Sequence, residues 1–113
     1  MTTTVKIGEH EILMTANAGT CYRYKQIFKK DLFQLFKSPD SLGVETIQEL
    51  AYIMMKQATK DLDTANFDNY MIWLEEFDPM DFAGASAEIV NVYASQQQTS
   101  STAKKKANLQ SEN

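Results

Sequence analysis

Residues Asn66–Tyr93 read NFDNYMIWLEEFDPMDFAGASAEIVNVY, and this stretch organises the rest of the chain. It divides into two helices joined by a sharp corner. Phe67, Tyr70, Met71, Leu74 and Phe77 recur at the spacing of one buried helical face. Asp78-Pro79-Met80-Asp81 then restarts the chain. Asp78 suits a cap, Pro79 a first helical position, and Asp81 adds negative charge to a first turn that favours it. Beyond the corner Phe82, Ser86, Ile89 and Tyr93 form a second stripe, with Ala85 and Val92 alongside.

Outward from this pair, residues 44–60 predict the clearest single helix. Ile47, Leu50, Ala51, Met54 and Ala58 make an apolar stripe. Glu45, Gln48, Glu49, Lys56 and Gln57 are expected mostly off it. Lys60–Asn66 reads as a polar loop. Upstream, Asn17 is expected to cap a helix running to about Lys30, with Cys21, Tyr24 and Phe28 on one side. Asp31 is expected to cap a short helix, Leu32–Phe36, broken by Ser38-Pro39-Asp40-Ser41. Thr3–Ile7 and Glu11–Met14 flank Gly8-Glu9-His10 as a β-hairpin. Its inward residues are expected to be Val5, Ile7, Ile12 and Met14, with Leu13 facing away. Two strands alone are marginal in water, so the hairpin should lean on a helix.

The predicted fold is therefore mainly α: a small domain of about four to five helices over residues 1–96, with a short N-terminal hairpin. Residues 97–113 hold one large apolar side chain, Leu109. They are expected to form a disordered polar tail that contributes little to folding. The chain of 113 residues carries a net charge of −4, of which the tail contributes +2, leaving −6 on the body. An acidic body argues against nucleic acid as the main partner, because that affinity comes from lysine and arginine. The apolar runs are too short to span a membrane, and MTTTVKIGEHE lacks the basic and apolar regions of a secretory leader. One cysteine allows no internal disulfide, which fits a reducing cytoplasm.

Catalytic chemistry finds little support. Asp61-Leu62-Asp63 begins like a calcium loop, but Ala65, Asn66 and Ile72 stand where its later ligand, glycine and glutamate belong. His10 is the only histidine and Cys21 the only cysteine, so zinc ligation and thiol catalysis both lack partners. Glu75, Glu76, Asp78 and Asp81 form an acidic cluster that reads first as a solvated face or partner contact. No enzyme activity, cofactor or metal is expected. Physics alone gives a helical interaction domain. Ile72 and Trp73 lie off the main stripe of their helix; either they pack on a second side, or they form an exposed apolar patch. Met54, Met55, Met71 and Met80 fall on the central helices, and Ile53 lies off its stripe. Ile53, Met54, Met55, Met71, Ile72, Trp73 and Met80 are thus the candidate partner-binding residues. Methionine-rich surfaces adapt to amphipathic helices of varied sequence, and an uncovered patch of this kind also favours self-association.

The order of elements adds a resemblance. A hairpin leads to a helix ending in an aromatic, lysine-rich and acidic segment, YRYKQIFKKDLF at Tyr22–Phe33. An amphipathic helix follows, then YMIWLEEFD at Tyr70–Asp78, a last helix and a polar tail. Over roughly residues 3–96 this resembles the tail assembly chaperones of long-tailed bacteriophages of Gram-positive hosts. The chain departs at Lys30, where a glycine is common. The resemblance implies a protein of the host cytoplasm, made during tail assembly and absent from the virion. It would coat the tape measure protein, act as a homo-oligomer and help recruit tail tube subunits. Contact with the tube protein would come mainly through a longer form made by ribosomal frameshifting, for which Lys104-Lys105-Lys106 marks a candidate slip site or, equally, a solubilising tail. The alternatives are a small cytoplasmic adaptor or regulator unrelated to phage tails, and an enzyme subunit completed by a partner chain.

Overall fold

The computed structural model describes residues 2–37 and 42–95. The predicted break at Ser38–Ser41, the polar tail and its lysine run lie outside the described residues. The architecture is mainly α, with five α-helices and one two-stranded antiparallel sheet among the described residues. Strands β1 (Thr3–Ile7) and β2 (His10–Met14) pair with Val5 opposite Ile12 and Ile7 opposite His10. The loop is two residues, Gly8-Glu9, so His10 belongs to the strand rather than to the turn. Gly8 has φ 61°, which a two-residue hairpin turn with glycine in its first position requires. A Cβ there would also come within 2.5 Å of an Asp81 carboxylate oxygen. Alternation buries Val5, Ile7 and Met14, half-buries Ile12, and leaves Leu13 outside.

Helix α1 (Thr20–Phe28) is entered through a polar ring rather than a simple cap. Asn17 Oδ1 accepts from the Gly19 amide at 2.8 Å and from Gln57 Nε2 at 2.9 Å, while the Thr20 hydroxyl donates to Gln57 Oε1 at 2.7 Å. The start of α1 is thereby tied to the last turn of α3 (Val44–Thr59). α1 ends at Lys29, whose φ of 61° is left-handed. The strained position is thus one residue before Lys30. Asp31 Oδ1 accepts from the Phe33 amide at 3.0 Å and opens α2 (Leu32–Lys37). α3 closes on left-handed Lys60, and a 3₁₀ turn, Leu62–Thr64, occupies the predicted loop. Asn66 caps α4 (Phe67–Leu74) by accepting from the Asn69 amide at 2.8 Å. α4 stops at Leu74, so Phe77 sits in the corner. At the head of α5 (residues 81–95) the Asp81 carboxylate accepts from the Asp78 amide at 3.0 Å. Asp81 reaches back toward Asp78, the reciprocal half of a capping box.

Helix α3 is the axis of the molecule. It packs against β2, α1 and α4, and the Thr15 amide donates to the Met54 carbonyl at 3.0 Å. Its predicted stripe is buried at Ile47, Leu50, Ala51 and Met54. Tyr52, Ile53 and Glu49 are buried too, so Glu49 does not lie off the core. On α5 Phe82, Ala85, Ile89, Val92 and Tyr93 face inward as predicted. α4 turns differently from its predicted stripe. Tyr70 is buried and Trp73 packs inward, while Phe67 and Met71 are exposed. The Trp73 ring lies 5.0–5.8 Å from Tyr52, Phe77 and Phe82 in tilted or edge contacts, the geometry aromatic quadrupoles favour.

A candidate partner-binding surface

The candidate residues separate into three groups, buried, half-buried and exposed. Ile53 and Met54 are 0% exposed and cannot meet a partner in the folded chain. Periodicity places off-stripe residues outside only when a helix has one covered face, and α3 is covered on several. Met55 and Trp73 are half-buried against the core. Of the two readings of Trp73 and Ile72, each residue takes one: Trp73 packs and Ile72 is 63% exposed. Met71 and Met80 are also exposed, Met80 at 75%. Phe67, expected in the core, is 53% exposed. The outward side of α4 thus carries Phe67, Met71 and Ile72, and the corner beyond it carries Met80. Only the three-dimensional roles of Tyr70 and Trp73 show that Phe67 is outside, because the apolar residues of α4 cover more than one face.

A groove of about 350 Å³ opens where the second half of α1 meets the chain entering α4. Ile27, Leu62, Ala65 and Phe67 form its apolar part, and Arg23, Gln26, Lys29 and Asn66 line the rest. A second cleft, of about 530 Å³, runs between the start of α3 and α5, lined by Val44, Ile47, Ala83, Ala87 and Val90.

Charge is distributed unevenly around these features. Residues 20–37 carry Arg23, Lys25, Lys29, Lys30 and Lys37 against Asp31 alone. Residues 61–81 carry Asp61, Asp63, Asp68, Glu75, Glu76, Asp78 and Asp81 and no basic residue. One acidic group is internal to the core. Glu49 accepts from the Tyr24 hydroxyl at 2.5 Å, and Lys30 Nζ lies 3.3 Å from its carboxylate. Burial pushes the Tyr24 phenol well above its ordinary range, and the Glu49 carboxylate adds to that. Burial opposes the charge of Lys30, but Glu49 and Glu45 outweigh it and hold the ammonium above its ordinary value.

The groups weighed for chemistry have structural surroundings. The Thr64 hydroxyl and Lys56 together lower the Asp61 carboxyl, with Lys56 Nζ 3.3 Å away. His10 stacks edge-on against Phe77, its ring 4.8 Å away. Cys21 Sγ lies 2.8 Å from the Tyr93 hydroxyl. Among the described residues no three His, Cys, Asp or Glu side chains are grouped to hold a metal ion. Among the same residues no helix is long and apolar enough to cross a membrane. No protein-family model, curated protein or solved structure matches this chain.

Proposed function

We propose that this chain is a tail assembly chaperone of a long-tailed bacteriophage, working in the host cytoplasm and absent from the finished virion. It holds apolar faces of tape measure helices against the outward side of α4, several copies lining one partner. It also helps recruit tail tube subunits, mainly through a longer frameshifted form. No reaction, metal or cofactor is required for this. The observation that carries the reading is the order of elements with its two segments, YRYKQIFKKDLF and YMIWLEEFD. The exposed Phe67, Met71 and Ile72 supply an apolar surface of the kind such a task needs. The acidic body would keep a loaded complex soluble.

The test is co-expression with the long helical protein encoded beside this gene, or with its fragments, followed by pull-down and a solubility assay. The expected result is capture and a larger soluble fraction, both reduced by Ile72→Asp. If the wild-type chain captures no fragment and leaves solubility unchanged, the chaperone reading is wrong. A gene neighbourhood with no such protein would favour a small adaptor instead.

A further inference from the structure

We propose that the C-terminal segment of this chain returns along α5 and seats Leu109 in the cleft between α3 and α5, so that the chain covers part of its own apolar surface. All the residues lining that cleft are apolar except Ser86 and Asn91, and the Ser86 hydroxyl already donates to the Phe82 carbonyl at 2.7 Å. Ile47 is buried, while Val44 at the start of α3 is 47% exposed. This is apolar surface left to water, which an apolar group can cover.

Sequence, reach and charge select the occupant. Leu109 is the one large apolar residue of 97–113. The described part of α5 ends at Ser95, and Ala87 in the cleft lies eight residues back along the same helix, about 12 Å. Residues 96–108 join Ser95 to Leu109, and an extended chain of that length spans about 45 Å. The segment is therefore long enough to return without strain. Such a tether holds Leu109 at a local concentration on the order of a millimolar, so a shallow seat suffices. The charges match as well. Residues 42–47 and 83–91 carry Glu45 and Glu88 and no basic residue, and both carboxylates are exposed. Glu45 shares Lys30 at 3.5 Å, and Glu88 forms no ion pair among the described residues. Lys104-Lys105-Lys106 stands just ahead of Leu109 and brings the opposite sign to that rim.

The test is nuclear magnetic resonance of the isotope-labelled full chain beside Leu109→Asp. The amides of Val44, Ile47, Ala83, Ala87 and Val90 should shift in the variant, and those of the hairpin should not. Ala87→Glu fills the cleft from the other side. In that variant the signals of residues 104–109 should move to the positions they take in a synthetic peptide of residues 97–113. Lys104→Glu/Lys105→Glu/Lys106→Glu should also release the segment, and adding Glu88→Lys should restore part of the docked signal. Circular dichroism checks that each variant keeps its helices. Leu109→Asp lies outside the folded body, so it decides the matter even if Ala87→Glu fails to fold. Cleft amides that ignore Leu109→Asp overturn the proposal. So do tail signals unmoved by Ala87→Glu in a folded chain. Cleft shifts that grow with protein concentration also overturn it, because a neighbour's segment would then be the occupant. No partner protein is present, so neither result bears on helix capture.

Discussion

Helices α3 and α4 are both rich in large apolar residues, yet they do different work. The middle of α3 is buried all round, from Glu49 to Met54. α4 buries Tyr70 and turns Trp73 inward, while Phe67, Met71 and Ile72 face out. Composition does not distinguish the two. Neighbours do: α3 is enclosed by the hairpin, α1 and α4, whereas α4 lies at the edge with one side covered. An apolar residue on α3 is therefore worth its packing, and one on the outer side of α4 is free for a partner.

The largest effect should come from cutting into α3. Leu50 is fully buried, so Leu50→Ala should cost about 2–5 kcal/mol in chemical denaturation. Met71→Ala on α4 should cost less, about 1 kcal/mol or under, since Met71 is 36% exposed and only part of its side chain is packed. Equal losses at both positions would break the contrast between the helices.

Alkaline pH probes the same enclosure. Tyr24, Tyr52 and Tyr70 sit on α1, α3 and α4, and burial raises all three phenols above their ordinary value of 10. In the unfolded chain they lose protons near pH 10, while the folded chain keeps them. The folded state then binds more protons, so stability is fully present below pH 10 and falls as pH rises above it. Tyr24 and Tyr70, raised furthest, each contribute up to about 1.4 kcal/mol per pH unit in that window, and Tyr52 acts in the same direction. Urea melts between pH 8 and 11 would show it; a flat profile would mean the phenols are open to water.

Glu49 sharpens the picture from the polar side. Glu49→Ala would remove the acceptor of the buried Tyr24 hydroxyl and one of the two carboxylates beside Lys30. Leaving a buried donor unmatched should cost about 1–3 kcal/mol. Tyr24→Phe combined with Glu49→Ala should cost less than the two single losses added together, which a double-mutant cycle measures.

Much of the fold was legible because local chemistry and global packing agree there. The hairpin alternation of Val5, Ile7 and Met14, the Asp31 cap, and the α5 stripe of Phe82, Ile89 and Tyr93 were all readable from spacing. The surface was less so. Ile53 and Glu49 looked peripheral because a single helix pattern shows one face and cannot reveal a second cover. Phe67 looked internal because it is in register with Met71, and nothing local says which of two apolar faces of α4 wins. The aromatic contacts of Trp73 with Tyr52 and Phe82 decide that, and both partners are distant in sequence. The α1–α4 groove was illegible for the same reason.

The smallest effect on stability should carry the largest effect on binding. Ile72 is 63% exposed, so Ile72→Asp should change stability by no more than about 0.5 kcal/mol. It also places a carboxylate on the outward apolar side of α4, where an apolar helix face could not cover it without desolvating a charge. Capture of tape measure fragments should therefore drop sharply while the thermal midpoint stays within a few degrees. Trp73→Ala should behave in the opposite way. Its ring contacts Tyr52, Phe77 and Phe82, so truncation should lower the midpoint through lost packing. A stable Ile72→Asp chain that still captures every fragment would move the binding surface off α4, and the 530 Å³ cleft between α3 and α5 would be the next place to mutate.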